Sequence, residues 1–409
     1  MKTVFISNYI NHHQIPFSNA LYELLGEDYH FIQTEEMEEE RVRMGWALDA
    51  SKIPYVVFAY QEEARCRQLI EEADLVLAGW TERTDLFLPR MESGKLTIRI
   101  SERIYREGQW KAVSPRGLIA KYKEHVRFRK KPVYLLCAGA YVASDFSLIG
   151  AYPGKMFRFG YFPEVRKQDL DQLFEKKHRL SAEGLQMVWA GRFIELKHPE
   201  FVTRLAKELD SEGRKFHIHL IGSGPMEEEL KAFIAQNGLE SHFTCYGFLK
   251  PDQVRDVMEK CRVHLFTSNY LEGWGAVLNE SMNSGCCAVV NEQIGAAPYL
   301  IEDGVNGCLY RKGSYESFAA KVKELFEWQE ADGSRTADSA AEQCGGRLET
   351  MGRRAYETTA KEWNAQNAAR ACIAFYESYV AGEVKVPESG PFSKAPVISA
   401  RWKYDEGKL

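Results

Sequence analysis

At 409 residues the chain is longer than the ~250–300 residues at which a single core stops growing, so two domains are expected. Hydrophobic residues make up 45% and charged residues 27%, an ordinary globular balance, and the net charge of −5 argues against general nucleic-acid binding. Nine scattered cysteines, with Cys286 beside Cys287 and no Cys-x-x-Cys, exclude a disulfide framework and fit reduced thiols in a cytosol.

The N-terminus, Met1-Lys-Thr-Val-Phe-Ile-Ser-Asn8, reads as a first strand over 3–7, not a signal peptide. No run reaches the ~18 apolar residues of a bilayer span. A helix is predicted over 17–25, a strand over 55–58, a charged helix over 62–72, and strands over 75–78 and 96–101. Strands separated by helices of about ten residues imply a parallel sheet. Tyr161-Phe162-Pro163-Glu164 and the polar stretch 166–181 read as a linker. Beyond it the alternation restarts, with strands over 186–190, 216–221, 243–246, 263–266 and 287–291. Between them lie helices over 200–209, 226–236 and 252–260, and one carrying Glu280.

The expected fold is therefore α/β: two doubly wound, Rossmann-like parallel-sheet domains, 1–170 and 171–362, facing a central cleft. Ligands in such sheets bind outside the carboxyl ends of the strands. The stretch 329–349 reads as a loop or frayed insertion, and 363–382 as a helix crossing back to the N-terminal domain. The tail 383–409, with Pro387, Pro391 and Pro396, either wraps over the surface or is disordered.

Glu272 and Glu280 stand eight positions apart, and between them Glu272-Gly273-Trp274-Gly275 gives way to a helical pattern beginning near Ala276. This spacing places one carboxylate at a helix N-terminus and the other on its second turn. A helix N-terminus suits an anion such as a diphosphate, so the carboxylates beside it are expected to accept hydrogen bonds from hydroxyl groups. Other candidates follow at strand ends. Gly191 permits a tight turn that would let Arg192 and Lys197 converge on a diphosphate, although taken alone the pair reads more readily as two solvated surface cations. Gly222, Gly224 and Pro225 allow close backbone approach to a ligand or form a plain strand-to-helix turn. Phe248 and Leu249 offer a surface for a base or an apolar turn against the core.

The order of these motifs resembles the retaining GT-B glycosyltransferases, in particular family four (glycosyl transferases group 1). The Glu-x7-Glu element is matched by Glu272 and Glu280, and the Gly-Arg-x4-Lys element by Gly191, Arg192 and Lys197. The Gly-x-Gly-Pro turn is matched by Gly222, Gly224 and Pro225, and a Glu-Asp-Gly-x-Asn-Gly element by Glu302-Asp303-Gly304-Val305-Asn306-Gly307. The likeness is strong over 186–326 and only architectural before it. It implies that Arg192, Lys197 and Glu272 are catalytic, the two cations stabilising the leaving diphosphate and Glu272 meeting the transferred sugar. It further implies that Glu280 holds the ribose and that amides of Gly273, Trp274, Gly275, Ala276 and Val277 assist. No metal or other cofactor is needed, and retention follows from same-face attack.

The N-terminal half departs from the family's glycine turn and histidine. Asn11, His12, His13, Ser101 and Glu102 are the acceptor-side candidates, although the histidines read equally as exposed polar residues and Glu102 as a partner for Arg106. His217 and His219 share one face of a strand but lack a third metal ligand. The basic run from Lys121 to Lys131 reads as a solvated helix face or as a contact with anionic lipid. The expected activity is transfer of a hexose-type sugar from a UDP-sugar, with GDP-mannose second, to a glycan or lipid-linked saccharide, in the cytoplasm or at the inner face of a membrane. A GT-B-type nucleotide-sugar epimerase and a non-catalytic glycan- or partner-binding module are the rival readings.

Overall fold

The computed structural model describes residues 1–37, 49–333 (330–333 as backbone only) and 346–400. The chain divides into two compact units, Met1–Glu164 with Trp363–Leu409, and Val165–Glu362. No helix among the described residues is long and apolar enough to cross a membrane.

The first unit holds seven parallel strands: β1 Thr3–Ser7, β2 Tyr29–Gln33, β3 Val56–Phe58, β4 Leu75–Ala78, β5 Thr97–Ser101, β6 Val133–Ala138 and β7 Met156–Phe159. They lie in the order β3-β2-β1-β4-β5-β6-β7. Strands β1 and β4 are buried at every position, because a central parallel strand is covered on both faces and must be apolar throughout. The order reverses between β1 and β4, so a crevice opens beyond Ser7 and Ala78.

The second unit holds six parallel strands: β8 Leu185–Ala190, β9 Phe216–Ile221, β10 Phe243–Gly247, β11 Val263–Phe266, β12 Cys287–Asn291 and β13 Gly307–Tyr310. Their order, β10-β9-β8-β11-β12-β13, reverses between β8 and β11. Leu185, Met187, Val263, Leu265 and Val289 form one core with Val202, Leu205 and Phe318 from the covering helices. The edge strand β10 is only half-buried or exposed. His217 and His219 bond Thr244 and Tyr246 across that edge, at 2.7 and 2.9 Å.

Several expectations need correction. The stretch read as a linker contains the helix Leu170–Leu180. The Asp169 carboxylate caps it, accepting from the amides of Asp171 and Gln172 at 3.1 Å, and Leu173, Phe174 and Lys177 make its buried face. Lys177 is wholly buried, its ammonium donating to the carbonyls of Cys261, Met258 and Gly285. A lysine on the core face hides the apolar stripe. Of the stretch 329–349 expected as a loop, the helix Tyr315–Gly333 takes the start and the helix Arg347–Glu357 the end, while 334–345 lies outside the described residues.

The helix Ala365–Val380 belongs to the first unit, where Phe375 meets Tyr134 and Phe157 at ring distances of 5.0 and 5.5 Å. The tail beyond it is ordered against β7. Phe392 N–H donates to Arg158 O, Arg158 N–H to Ser393 O, and Ala395 N–H to Met156 O, so an antiparallel segment covers the sheet edge. Residues 401–409 of that tail lie outside the described residues.

Candidate active site

In the second unit the three strand ends β8, β9 and β10 are stitched by main-chain bonds. Gly191 N–H donates to Ile221 O at 3.0 Å, Phe193 N–H to Ser223 O at 2.9 Å, and Gly222 N–H to Gly247 O at 2.8 Å. Gly222 and Gly224 have φ of +135° and +155°. A Cβ on Gly222 would lie 1.8 Å from the Gly191 carbonyl oxygen, and one on Gly224 would lie 2.6 Å from that of Phe193. These two glycines are therefore demanded by neighbouring backbone, whatever else they approach.

The turn leaving β8 carries Arg192, exposed and without an ion pair among the described residues, and then Lys197. The Lys197 ammonium pairs with the Glu272 carboxylate, and both side chains are largely buried. Their meeting follows from the loop after β11. Asn269 N–H donates to Leu196 O at 2.9 Å, and Thr267 Oγ1 donates to Lys197 O at 2.6 Å while accepting from Trp189 Nε1 at 2.8 Å. Trp274 is buried and its Nε1 donates to Asn279 Oδ1 at 2.8 Å. Gly295 N–H donates to Gly273 O, which ties the loop to the turn after β12. His264, on β11, was not among the sequence candidates. It is wholly buried, and burial with the nearby Lys197 charge holds its imidazole neutral, its pKa lowered to about 3.

Glu280 lies on the helix Val277–Asn283, which begins where the sequence placed it, just after Ala276. The carboxylate falls in the first turn, not the second. Burial pushes its pKa up to about 7, against the pull of Arg255 and Arg166. Both arginines bind the same helix: Arg255 donates to Asn283 Oδ1, and Arg166 N–H donates to it at 2.8 Å. Neither arginine was legible as a neighbour of Glu280, because each comes from a distant segment. Gly275 is buried, Gly273, Ala276 and Val277 are half-buried, Phe248 is exposed, and Leu249 packs on the core through its side chain. The acidic element at Glu302 is a folded turn: Asn306 Oδ1 accepts from Glu302 N–H at 2.8 Å, and Asp303 Oδ1 from Leu309 N–H at 2.8 Å.

The first unit has its own cavity, of about 920 Å³, at the β1/β4 reversal. Asn11, His13, Ser101 and Glu102 line it, with Trp80, Arg99 and Tyr161; His12 does not line it, and its ring lies against that of His13, tilted by 49° with 3.9 Å between centroids. Tyr161 donates to Glu102 at 2.5 Å and lies parallel to His13 at 5.6 Å. Glu102 also pairs with Arg106, as the sequence allowed. Burial, then His12, lowers the His13 pKa to about 3, so it is neutral. Trp80, 64% exposed, projects at the end of β4; the sequence offered no signal for it beyond its position after a strand.

Residues 171–342 match the family described as glycosyl transferases group 1. The amylovoran biosynthesis glycosyltransferase AmsK of Erwinia amylovora is 29% identical over 146 residues, covering 34% of this chain and 36% of AmsK. The 2-deoxystreptamine glucosyltransferase of Streptomyces kanamyceticus is 26% identical over 221 residues, 54% of this chain and 52% of that enzyme. The chain spans about half or less of the length of the curated relatives it matches. Among solved structures, HepE of Anabaena in complex with UDP superposes with a TM-score of 0.63 at 14% identity, covering 93% of this chain and 100% of HepE. The fold is thus the two-sheet GT-B architecture.

Proposed function

We propose that this chain, whose residues 171–342 belong to the group 1 glycosyl transferases, transfers a hexose-type sugar from a nucleotide-diphosphate donor, with retention, to a glycan or lipid-linked saccharide. The observation that carries the reading is the convergence of Lys197 and Glu272 at the β8/β11 reversal, where a doubly wound sheet binds its ligand. A cation for the departing diphosphate stands there against a carboxylate for sugar hydroxyls.

Arg192, exposed beside this pair in sequence, supplies the second cation, and a guanidinium is suited to phosphate oxygens. Both charges act on the leaving group as it develops negative charge, which lowers the barrier without a metal. Glu272 orients the sugar, Glu280 accepts from the ribose hydroxyls, and Phe248 stacks on the base. The departing phosphate helps to deprotonate the acceptor on the same face. A UDP-sugar is the favoured donor, GDP-mannose the second; HepE in complex with UDP supports uridine. AmsK, an amylovoran biosynthesis enzyme, supports a saccharide acceptor, for which the cavity of the first unit supplies the residues.

Titration calorimetry with UDP and GDP, followed by incubation with nucleotide sugars and measurement of released nucleotide, tests the reading. Binding of one diphosphate and acceptor-dependent release are expected. Failure to bind any nucleoside diphosphate overturns it.

A further inference from the structure

The segment 109–131 of the first unit carries eight lysines and arginines against the single carboxylate of Glu124, in a chain whose net charge is −5. Five of those cations, Arg116, Lys123, Arg129, Lys130 and Lys131, make no ion pair among the described residues. The same segment exposes apolar side chains that a solvated helix would not. The helix Pro115–Glu124 buries none of its residues. Leu118, Ile119 and Tyr122 share one face of it by their spacing and are 42%, 58% and 57% exposed. The preceding turn Gln109–Val113 adds Trp110 and Val113, the two most exposed large hydrophobic side chains among the described residues, at 71% and 79%. Single exposed apolar residues need no explanation, but five within thirteen positions form a patch that does.

We propose that this patch docks the protein on an anionic membrane surface, Trp110, Val113, Leu118, Ile119 and Tyr122 entering the headgroup boundary while the surrounding cations neutralise lipid phosphates. A second copy of the chain is a poor occupant, since a twofold contact would set the two cationic rims against each other. Nucleic acid is a poor one too, because exposed aliphatic side chains offer nothing to phosphates. Lys121 and Glu124, from the same helix, also line the cavity at the β1/β4 reversal. The lipid-facing helix therefore borders the cavity where, on the reading given above, a lipid-linked saccharide would be received.

The test is sedimentation of the full chain with phosphatidylcholine vesicles, with and without phosphatidylglycerol, in the absence of any nucleotide sugar. Binding is expected only with phosphatidylglycerol and is expected to weaken as salt is raised. The double variant R129E/K130E should lower the partition coefficient by at least about fivefold per cation. The variant W110S/I119S should lower it by roughly tenfold or more, with UDP binding unchanged in both as the sign of an intact fold. Absence of binding to phosphatidylglycerol vesicles overturns the proposal, as does binding that neither variant weakens. If the variants abolish self-association or RNA binding while lipid binding persists unchanged, it is equally overturned. Because no sugar transfer is read, these outcomes are separate from failure of the transferase reading, which the UDP titration reports.

Discussion

The ammonium of Lys197 and the carboxylate of Glu272 close on each other across 75 residues of chain. Each side chain keeps only about a sixth of its surface open, at 16% and 15%, so each charge depends on the other. On the proposed function, a donor diphosphate arriving beside Lys197 would add a second anion to that ammonium, and a sugar would add donors to Glu272. The resting pair thus holds both groups at the reversal point of the sheet before substrate arrives.

Lys197→Ala and Glu272→Ala should each destabilise the second unit by about 1–3 kcal/mol, the cost of leaving a desolvated partner unmatched. The double variant should lose less than the sum. Denaturant midpoints of the four proteins measure this, and strict additivity would mean that the pair contributes nothing. In transfer assays Lys197→Ala should lower kcat by roughly 10²–10³ through the lost charge on the leaving group.

Glu280 gives a pH dependence with a definite sign. Its folded-state pKa is raised from 4.5 to about 7, so the native state holds the proton more tightly and stability falls as pH rises across that interval. If Glu280 holds the ribose as proposed, its hydroxyls donate to the ionised form, so nucleotide affinity should increase as pH rises through 7, with proton release on binding. Calorimetry in buffers of different ionisation enthalpy reads the release. Glu280→Gln should remove that share of it, leaving only the ligand's own titration; an identical proton count in the variant would refute the assignment.

The glycine turns separate backbone demand from ligand approach. Gly222→Ala forces a Cβ to 1.8 Å from a carbonyl oxygen at φ +135°, and should leave little folded second unit. Gly238, with φ +66° and nothing within 4 Å of a Cβ, offers the control. Gly238→Ala should cost only the left-handed strain, about 1 kcal/mol. Thermal melts of both variants check the contrast.

Trp80 tests the cavity of the first unit. Trp80→Ala should raise the acceptor KM several-fold through lost apolar stacking while the dissociation constant for UDP stays constant. A matching loss of UDP affinity would move Trp80 out of the acceptor role.

The unbroken apolar run Leu75–Ala78 could be read directly because burial on both faces leaves no room for polar residues. Tyr29–Gln33, with His30 and a terminal Gln33, and Gly307–Tyr310, opening on a glycine, were not picked out. Their polar or small residues break the pattern while the strands still pair in the sheet. In the site, the order of Gly191, Arg192, Lys197, Glu272 and Glu280 was visible along the chain. The grip of Arg166 and Arg255 on Asn283 was not, since those bonds span 117 and 28 residues and arise only from how the elements pack. The exposure of Trp110 and Ile119 was equally invisible, because an apolar residue beside lysines reads the same whether it faces core or water.

The extended run at Phe392–Ala395 that pairs with β7 also sets a timetable for biogenesis. Glu164 closes the first stretch of the first unit, and Phe392 lies 228 positions later, after the whole second unit. At ~5–20 residues per second of synthesis, roughly 10–50 s pass before the segment that covers β7 leaves the ribosome. During that interval the edge of the nascent sheet is a bare template for another chain's strand. The window for co-translational aggregation is thus written into the order of the segments, and it closes only when the last part of the chain folds back.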